Sequence, residues 1–476
     1  MSVVNGKAYR LLQTVNVRWS GKKFENIPLD LKETGLTFKM QLYSLTEVLP
    51  ERQKIMVKGG ILKDETDLSK LGISEGHTFM MMGTAEELPK EPVQKPVFLE
   101  DMTDEQLAEA TNIPGGLVNL GNTCYMNASL QCLKAIPELS NALINFNFNS
   151  QIDADVRKTL TVSLRDLFNN LSKTVESSNP LIFLNVLRLV NPQFSQQSRG
   201  QFMQQDAEEC WSCIVNVLKE YLKSGETNFV NRHMSLELVS TYFFTSFFTS
   251  LTNQENADEA PTTTNEVVDK LNCHISGNVN YINDGLNESM IEVIEKTSPS
   301  LGRQCSYSKK TLINRLPKYL TLNMLRFYWK PAERVKAKIL RKVKFPLVLD
   351  MYEYCTDALK MKMEPNREAI RKYENEVKLR GKNADVSDLK LELSEFDDVG
   401  SNTTGFYELT AVLTHIGRSA DSGHYIGWTK DQSSDKWWKF DDDKVSPATS
   451  DDILKLDGGG DWHTAYLLIY KAKSFS

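Results

Sequence analysis

The chain has 476 residues, which is enough for two or three domains that each bury a sizeable hydrophobic core. Its 41% hydrophobic and 25% charged residues are typical of a globular protein, and the net charge of −6 argues against binding to nucleic acid or an anionic membrane. The seven cysteines form no paired framework, which favours a reducing compartment. No apolar stretch approaches the roughly 18 residues of a membrane span, and no signal-peptide core is present. We therefore expect a cytoplasmic protein with access to the nucleus.

Residues 1–84 carry the pattern of a small mixed domain. Alternating apolar residues predict a hairpin and two further strands, and a 3.6-residue repeat predicts one helix. The predicted elements span residues 15–19, 24–29, 38–48, 53–60 and 77–82. The inward face of the helix is expected to carry Phe38, Leu42, Leu45 and Val48, and Pro50 is expected to stop it.

This order of elements, together with Gln-Lys-Ile-Met-Val-Lys-Gly at residues 53–59, resembles ubiquitin. The strand alignment places Met56, Met80 and Met82 where ubiquitin carries its apolar binding patch, whereas Met81 points to the opposite face. These methionines are either core residues or an adaptable protein interface. Because Gly83 is not followed by a second glycine, the domain cannot be a conjugated modifier, and we expect it to be a docking module.

Residues 85–112 are rich in proline and charge and predict a linker, which leads into one large domain at residues 113–476. Within that domain, the apolar run at 242–250 predicts a strand, and the polar run at 253–265 predicts a loop or a disordered segment. Residues 364–395 are dense in charge, so their first part is expected to be an exposed helix and their second part a mobile insertion.

Cys124 lies between a turn-rich approach and an apolar, helix-compatible run. The approach contains Gly116, Gly121 and Asn122. This pattern predicts that Cys124 begins a helix, where free backbone N–H groups and the helix dipole stabilise a thiolate. A thiol nucleophile also needs a base, and the candidate is His424, in a Ser-Gly-His-Tyr sequence about three hundred residues later.

Other residues near these two offer alternatives. His415 is a second candidate base, but its alternating apolar run predicts a strand, so a hydrogen-bonded structural histidine is favoured. Cys132 lies on the same predicted helix as Cys124 and is expected in the core. The three aspartates at 441–443 are either a solvated turn or, because they follow aromatic residues, a strand end that points into the site.

Five motifs occur in the order found in the ubiquitin-specific proteases. Residues 116–133 resemble the cysteine box of that family, 421–428 its histidine box, and 204–209 its glutamine-rich block. The remaining two lie at 316–327 and 438–446, and the latter resembles the segment that supplies the third catalytic residue. The chain is similar to this family from about residue 113 to its C-terminus.

The resemblance implies a role for each candidate residue. Cys124 matches the nucleophile, and His424 matches the general base that later protonates the leaving amine. Asp441 matches the carboxylate that orients the imidazole, and Asn119 matches the donor of the oxyanion hole. Asp442 is a reserve candidate, either for orienting His424 or for polarising the oxyanion hole.

The resemblance also implies contacts with ubiquitin. Gln204, Asp206 and Tyr425 match residues that bind its extended, basic C-terminal tail, where a carboxylate suits arginine partners. For Gln204 and Asp206, the alternative is an exposed start of a helix.

Many members of the family hold zinc on two Cys-x-x-Cys pairs. The matching positions here are Cys273 with Ser276 and Cys305 with Ser308, so each pair has lost one thiolate ligand. Two thiolates do not complete a tetrahedral structural zinc site. The remaining Cys-x-x-Cys pair, at 210–213, has no second pair nearby and is expected to pack in the core. We expect neither a metal nor another cofactor.

The ubiquitin-like head and the protease region together resemble the proteasome-associated members of the family. The resemblance implies an α+β protein with an N-terminal β-grasp domain (1–84), a linker (85–112) and a papain-like cysteine protease body with fingers, palm and thumb (113–476). The implied reaction is hydrolysis, through a thioester, of the isopeptide bond between ubiquitin's C-terminal glycine and a lysine. The implied partners are ubiquitin, ubiquitinated proteins and, through residues 1–84, the regulatory particle of the 26S proteasome. Away from the proteasome we expect a monomer.

Two other functions stay open at this point. The chain could act mainly as a ubiquitin-sensing, non-catalytic regulator of the proteasome, or it could cleave another ubiquitin-like modifier, which the match at Gln204 and Asp206 disfavours. Two loops, 327–334 and 417–423, are expected to flank the channel for the ubiquitin tail, and the second, which is small, polar and flanked by glycine, suits a mobile lid. The alternative for these segments is ordinary surface loops on a constitutively active enzyme.

Overall fold

The computed structural model describes residues 12–85, 113–146, 155–222, 238–330, 335–380, 389–419, 422–431, 434–460 and 462–475. The chain divides into two compact units, Met1–Phe98 and Leu99–Ser476. The predicted linker at 85–112 lies almost wholly outside the described residues. Among the described helices, none has the length and apolar character needed to cross a bilayer.

The first unit is a five-stranded sheet covered by one helix. Its elements are β1 (Leu12–Trp19), β2 (Lys22–Asp30), α1 (Gly35–Thr46), β3 (Lys54–Val57), β4 (Gly60–Ile61) and β5 (Thr78–Met82). The strand order is β2-β1-β5-β3-β4, with β1 and β5 parallel and the other pairs antiparallel. The predicted hairpin, helix and strands are therefore confirmed.

The prediction for α1 was wrong in its last turn. The helix ends at Thr46, because Glu47 adopts a left-handed conformation (φ 59°) and its N–H bonds to Tyr43 O, so the helix stops before Pro50. The buried residues include Phe38, Leu42 and Thr46, spaced four residues apart, whereas Leu45 points outward and is 47% exposed. Val48 is buried, but it reaches the core from beyond the helix.

Three methionines form an exposed apolar surface on this unit. Met56 and Met80 face each other across β3 and β5, and they are 45% and 56% exposed. Met82, two residues along β5, is 54% exposed, whereas Met81 packs in the core with Phe38. The predicted alternation along this strand is confirmed, and the exposed set is named the methionine face.

The second unit begins with a helical part. Its elements are α2 (Cys124–Lys134), α3 (Pro137–Ile144), α4 (Val156–Leu171), α5 (Leu181–Val190), β6 (Gln197–Ser198), β7 (Gln201–Phe202) and α6 (Ala207–Tyr221). Helix α2 packs between α6 and the large sheet described next, so all its residues up to Leu133 are buried.

The rest of this unit consists mainly of strands. In chain order, its helices and strands are α7 (Leu238–Phe243), β8 (Thr245–Asn253), β9 (Thr262–Val268), β10 (Leu271–Cys273), α8 (Ile282–Met290), β11 (Ile291–Thr297), β12 (Gln304–Arg315), β13 (Tyr319–Met324), β14 (Phe327–Lys330), β15 (Val335–Lys338) and β16 (Val348–Asp350), then α9 (Asp357–Arg380), β17 (Phe406–Ser419), β18 (Ser422–Lys430), β19 (Trp437–Asp441), β20 (Lys444–Ala448), α10 (Ser450–Leu454) and β21 (Thr464–Ala472).

These strands form two sheets of different size. The larger has ten strands, ordered β10-β13-β21-β17-β18-β19-β20, with β14, β15 and β16 joined at its side. Its alternating side chains enter two cores: Leu413 and Tyr425 pack with the helical part, whereas Val412 and Ile426 pack on the opposite face. The smaller sheet has the order β11-β12-β8-β9. A helical lobe, a central sheet and a separate small sheet agree with the expected α+β papain-like body.

Three local predictions in this unit need correction. The strand predicted at 242–250 begins only at Thr245, because the preceding residues form α7, where Phe243 stacks on Tyr319. The loop predicted at 253–265 contains the start of β9, which pairs with β8. The charged helix α9 is not simply exposed, since Arg367 is buried and binds Asp350. The insertion predicted to follow it lies partly outside the described residues.

Candidate active site

Cys124 is the first residue of α2, as predicted, and Thr123 is its N-cap. The turn before it is held by one side chain, because Asn119 Oδ1 accepts hydrogen bonds from the N–H groups of Gly121 (2.9 Å) and Thr123 (3.3 Å). Asn122 and Gly121 both have positive φ angles, 53° and 93°, which suit an asparagine–glycine turn. This local folding places the Cys124 sulfur at the end of a helix with free N–H groups.

His424 reaches the same place from the large sheet. It lies on β18, and its Nε2 is 2.6 Å from Asp441 Oδ1 at the end of the neighbouring strand β19. The hydrogen bond with the Cys124 thiol raises the pKa of His424 to about 9; burial opposes this shift and Asp441 adds to it. An imidazole that keeps its proton at neutral pH is the charge partner that a thiolate nucleophile requires. The strand end at 441 points into the site, as predicted.

Asp441 is held from two sides. Its second oxygen, Oδ2, lies 3.3 Å from the ammonium group of Lys439 on the same strand. Burial would raise the pKa of Asp441, but the bond with His424 and the charge of Lys439 outweigh it and hold that pKa below its usual range. Asp441 therefore stays ionised beside the imidazole.

Asp442 faces a different set of partners. Its Oδ2 accepts a hydrogen bond from Asn119 Nδ2 and its Oδ1 accepts one from Asn127 Nδ2, both at 2.8 Å. His424 Nε2 is 3.9 Å away, too far for a hydrogen bond. The sequence left open whether Asp442 orients His424 or polarises the oxyanion hole, and this geometry favours the role at the oxyanion hole.

The turn that carries Asp442 fits closely against the loop before Cys124. Leu117 N–H donates to Asp442 O at 2.9 Å, and a Cβ at Gly116 would lie 2.6 Å from Asp443 O. Glycine at 116 is therefore needed for this approach. Asp442 itself has φ 54°, a conformation that aspartate tolerates better than most residues.

Known protein families match both units of the chain. Residues 115–470 match the family described as "Ubiquitin carboxyl-terminal hydrolase", and residues 14–86 match the "Ubiquitin family". The chain belongs to the ubiquitin carboxyl-terminal hydrolases. As a member of this family it is a cysteine-type deubiquitinase with an N-terminal ubiquitin-like domain.

Whole-length relatives support the assignment. "Ubiquitin carboxyl-terminal hydrolase 7" of Arabidopsis thaliana is 44% identical over 482 residues, which cover 97% of this chain and 99% of that protein. "Ubiquitin carboxyl-terminal hydrolase 6" of Schizosaccharomyces pombe is 39% identical over 97% of this chain and 99% of its own length. "Ubiquitin carboxyl-terminal hydrolase 14" of Caenorhabditis elegans is 35% identical over 96% and 93%, respectively.

Two of the residues predicted to contact the ubiquitin tail have buried side chains in this hydrolase. The side chain of Tyr425 is 1% exposed and packs against His415 and Tyr466, and its backbone N–H lies 3.4 Å from Cys124 Sγ. Contact of Tyr425 with the tail stays a prediction. Asp206 is the buried N-cap of α6 and accepts a hydrogen bond from the Tyr466 hydroxyl at 2.7 Å. Its contact with the tail stays a prediction.

The alternative candidates at the site are structural. His415 is 1% exposed and its ring packs against Phe327 and Tyr425; burial lowers its pKa to about 3, so it is a poor base at neutral pH. Cys132 is fully buried, and burial raises the pKa of its thiol to about 12. Both therefore take the core positions that the strand and helix patterns predicted.

Sequence reasoning missed Asn127 and Lys439. Asn127 lies three residues after Cys124 on α2, so it shares the nucleophile's helix face, and this spacing was a usable signal. Its amide also approaches the carbonyls of Leu117 and Val118 at 3.3 Å. Lys439 lies two residues before Asp441 on β19, so both side chains point to the same face of the strand, and this spacing was the corresponding signal.

The expected remnants of a zinc site are not neighbours within one sheet. Cys273 ends β10 in the large sheet, whereas Cys305 lies on β12 in the small sheet. In the described part of the chain, the only cluster spaced like a metal site is His424, Asp441 and Asp442, which are the candidate catalytic residues. That zinc is absent stays a prediction.

Proposed function

We propose that this deubiquitinase cleaves the isopeptide bond between the C-terminal glycine of ubiquitin and a lysine of proteasome-bound conjugates. This reaction would recycle ubiquitin and regulate protein degradation. The observation that carries the proposal is the convergence of Cys124, His424 and Asp441 in a chain that also has a ubiquitin-like unit without a Gly-Gly end. The relatives match this chain over 93–99% of their own length, so this pairing of units extends to them.

The chemistry follows from the positions of these groups. The Cys124 thiolate attacks the carbonyl carbon of the glycine, and Asn119 donates to the oxygen as it becomes negative. The C–N bond then breaks as His424 gives its proton to the leaving amine, and a thioester remains. Water, deprotonated by His424, hydrolyses the thioester, which releases the carboxylate of ubiquitin and regenerates the thiolate.

We propose that the methionine face of this chain docks on the regulatory particle of the proteasome. Met56, Met80 and Met82 present adjoining flexible apolar side chains on the face of the sheet opposite to α1, and methionine suits an adaptable interface. The proposal for residues 1–84 therefore names a surface that can be altered without disturbing the core of the unit.

The two segments predicted to form a lid are joined through the large sheet. The described part of the first segment, predicted as a loop, is strand β14, which pairs with β15, and Ala337 on β15 pairs with Ser419 in the second segment. Residues 331–334, 420 and 421 lie outside the described residues. We propose that this paired element restricts the tail channel until the proteasome binds the open state more tightly, which requires about 3 kcal/mol of differential binding for a hundredfold rise in activity.

Hydrolysis of a ubiquitin–fluorophore amide, with and without purified 26S proteasome, tests this function. The full chain should show low activity alone and a large rise with the proteasome. The rise should be lost on removal of residues 1–84 and reduced by Met80→Glu with Met82→Glu. The matched control is Tyr43→Glu, on the outer face of α1, where the side chain is 40% exposed and outside the methionine face.

The outcomes separate the alternatives. Equal turnover with and without the proteasome, at saturating substrate, would favour ordinary loops on a constitutively active enzyme. Ubiquitin binding without turnover in either condition would favour a non-catalytic regulator, and faster cleavage of another modifier would identify a different substrate.

We further propose a cytoplasmic location with access to the nucleus and a monomeric state off the proteasome. The cytoplasmic location agrees with the seven free thiols. Imaging tests the location, and light scattering tests the monomeric state.

A further inference from the structure

The side chain of Gln204 reaches the candidate nucleophile directly. Its Nε2 lies 3.1 Å from Cys124 Sγ, within hydrogen-bonding distance of a sulfur acceptor. The residue comes from the segment between β7 and α6, eighty positions after Cys124. The sulfur therefore accepts from Gln204 as well as from the Tyr425 backbone, and it also bonds to His424.

The backbone on both sides of Gln204 is fixed. Phe202 O accepts a hydrogen bond from Asn122 Nδ2 at 2.9 Å, and Met203 N–H donates to Gln196 O at 2.9 Å. Two residues later, Asp206 is tied to Tyr466. These contacts hold the segment beside the cleft, while the half-buried Gln204 side chain keeps three rotatable bonds.

A hydrogen bond to the sulfur stabilises the free enzyme but opposes attack by the sulfur on a carbonyl. It stabilises negative charge on the resting nucleophile, and the same stabilisation must be given up when the sulfur lone pair attacks a carbonyl. An incoming peptide tail supplies carbonyl oxygens that accept hydrogen bonds from a side-chain amide. The Gln204 amide thus has one acceptor in the free enzyme and a second that arrives only with substrate.

We propose that Gln204 exchanges acceptors during the reaction: it caps the Cys124 sulfur in the free enzyme and donates to a backbone carbonyl of the ubiquitin tail in the complex. No covalent bond changes in this step, since one N–H···S contact is replaced by one N–H···O contact. The exchange couples release of the nucleophile to the arrival of an extended peptide tail. It rests on the ubiquitin hydrolase activity and is independent of proteasome docking.

The test compares two reactions of the same sulfur in the purified full-length protein. Alkylation of Cys124 by iodoacetamide, followed by mass spectrometry of its peptide, reports the reactivity of the free enzyme. Hydrolysis of a ubiquitin–fluorophore amide reports the reaction that needs the tail. Gln204→Met keeps a side chain of similar length but removes the donor, and Gln204→Ala removes the bulk as well.

At a pH where the Cys124 sulfur is ionised in every variant, both variants should alkylate faster than the native chain by about three- to tenfold, because loss of one hydrogen bond to a charged group raises the intrinsic nucleophilicity of the sulfur. The kcat/KM for ubiquitin hydrolysis should stay within about twofold, because the variants lose the contact with the sulfur in the free enzyme and the contact with the tail in the complex, and the two losses offset each other. In the Cys124→Ala background, which has no sulfur to cap, Gln204→Met should weaken the binding of ubiquitin by about three- to tenfold. Met203→Ala, on the neighbouring 37% exposed side chain, should change neither rate. Faster alkylation and weaker ubiquitin binding in the Cys124→Ala background, with a thermal midpoint near that of the native chain, are expected together only for an exchange of acceptors. Damage to the fold would expose Cys124, which is 2% exposed, and would lower the thermal midpoint.

Three results would overturn the proposal. The first is alkylation that is unchanged or slower in Gln204→Met. The second is faster alkylation in Gln204→Ala alone, which would mean that the side chain only shields the sulfur. The third is unchanged ubiquitin binding on Gln204→Met in the Cys124→Ala background, because the tail would then not use the Gln204 amide.

Discussion

Two asparagine amides converge on the carboxylate of Asp442, and replacing Asp442 by asparagine should disable the oxyanion hole while sparing the nucleophile. Asparagine keeps the size of the side chain and tolerates the positive φ of 54° at this position. Its amide offers only one oxygen, however, so its nitrogen must face either the Asn119 or the Asn127 donor, where two N–H groups would oppose each other.

The size of the effect follows from these two contacts. Each hydrogen bond to the charged carboxylate contributes about 1.5–3 kcal/mol. Asp442 is only 9% exposed, so water does not readily replace the missing acceptor. If Asn119 is misplaced, the enzyme loses one preorganised oxyanion donor, and such a loss typically lowers kcat by about 10²–10³. We therefore expect at least a hundredfold lower kcat with little change in KM.

Two assays separate this effect from damage to the nucleophile. Hydrolysis of a ubiquitin–fluorophore amide passes through a tetrahedral oxyanion, whereas alkylation of Cys124 by iodoacetamide does not. Asp442→Asn should therefore slow hydrolysis and leave alkylation near its native rate. Asp441→Asn should slow both reactions, because it removes the 2.6 Å partner of His424. Asp443→Asn, in the exposed third position of the same turn, is the matched control.

The reasoning would be refuted if Asp442→Asn slowed alkylation as much as hydrolysis, since Asp442 would then act through His424. It would also be refuted if Asp442→Asn hydrolysed the substrate at the native rate while Asp443→Asn did not.

Three further predictions concern the nucleophile, the pH profile and metal. Cys124→Ser should abolish hydrolysis but retain ubiquitin binding, because a hydroxyl is a far poorer nucleophile; stoichiometric labelling of this variant by ubiquitin vinyl sulfone would identify another thiol. The rate of isopeptide cleavage should decline as the pH rises through about 9, because His424 then lacks the proton for the leaving amine. The pKa of His424 is raised from 6.5, so its contribution to stability should be complete below pH 6.5 and lost on the way through about 9; a thermal-midpoint difference from His424→Asn that grows with pH would contradict this. Elemental analysis should find well under one zinc per chain, since Cys273 and Cys305 are the remaining thiols at the matched positions, and stoichiometric zinc whose removal unfolds the protein would overturn this prediction.

The sequence by itself determined the features that depend on local signals. The turn residues and the apolar run around Cys124 predicted the start of α2, and the alternation around Met81 predicted that Met80 and Met82 share one face and Met81 the other. The aromatic run before Asp441 predicted a strand end at the site. Each of these features depends on neighbours within a few residues, where helix and strand periodicity apply directly.

Only the tertiary structure decided which of two adjacent groups performs a given role. Asp441 and Asp442 are consecutive, but the left-handed backbone at Asp442 directs its carboxylate toward Asn119 instead of His424. Tyr425 is buried because the rings of the central sheet pack around it, although its motif predicted a contact with ubiquitin. Side-chain direction at these positions is set by strands and loops hundreds of residues apart in the chain, and no periodicity within one segment contains that information.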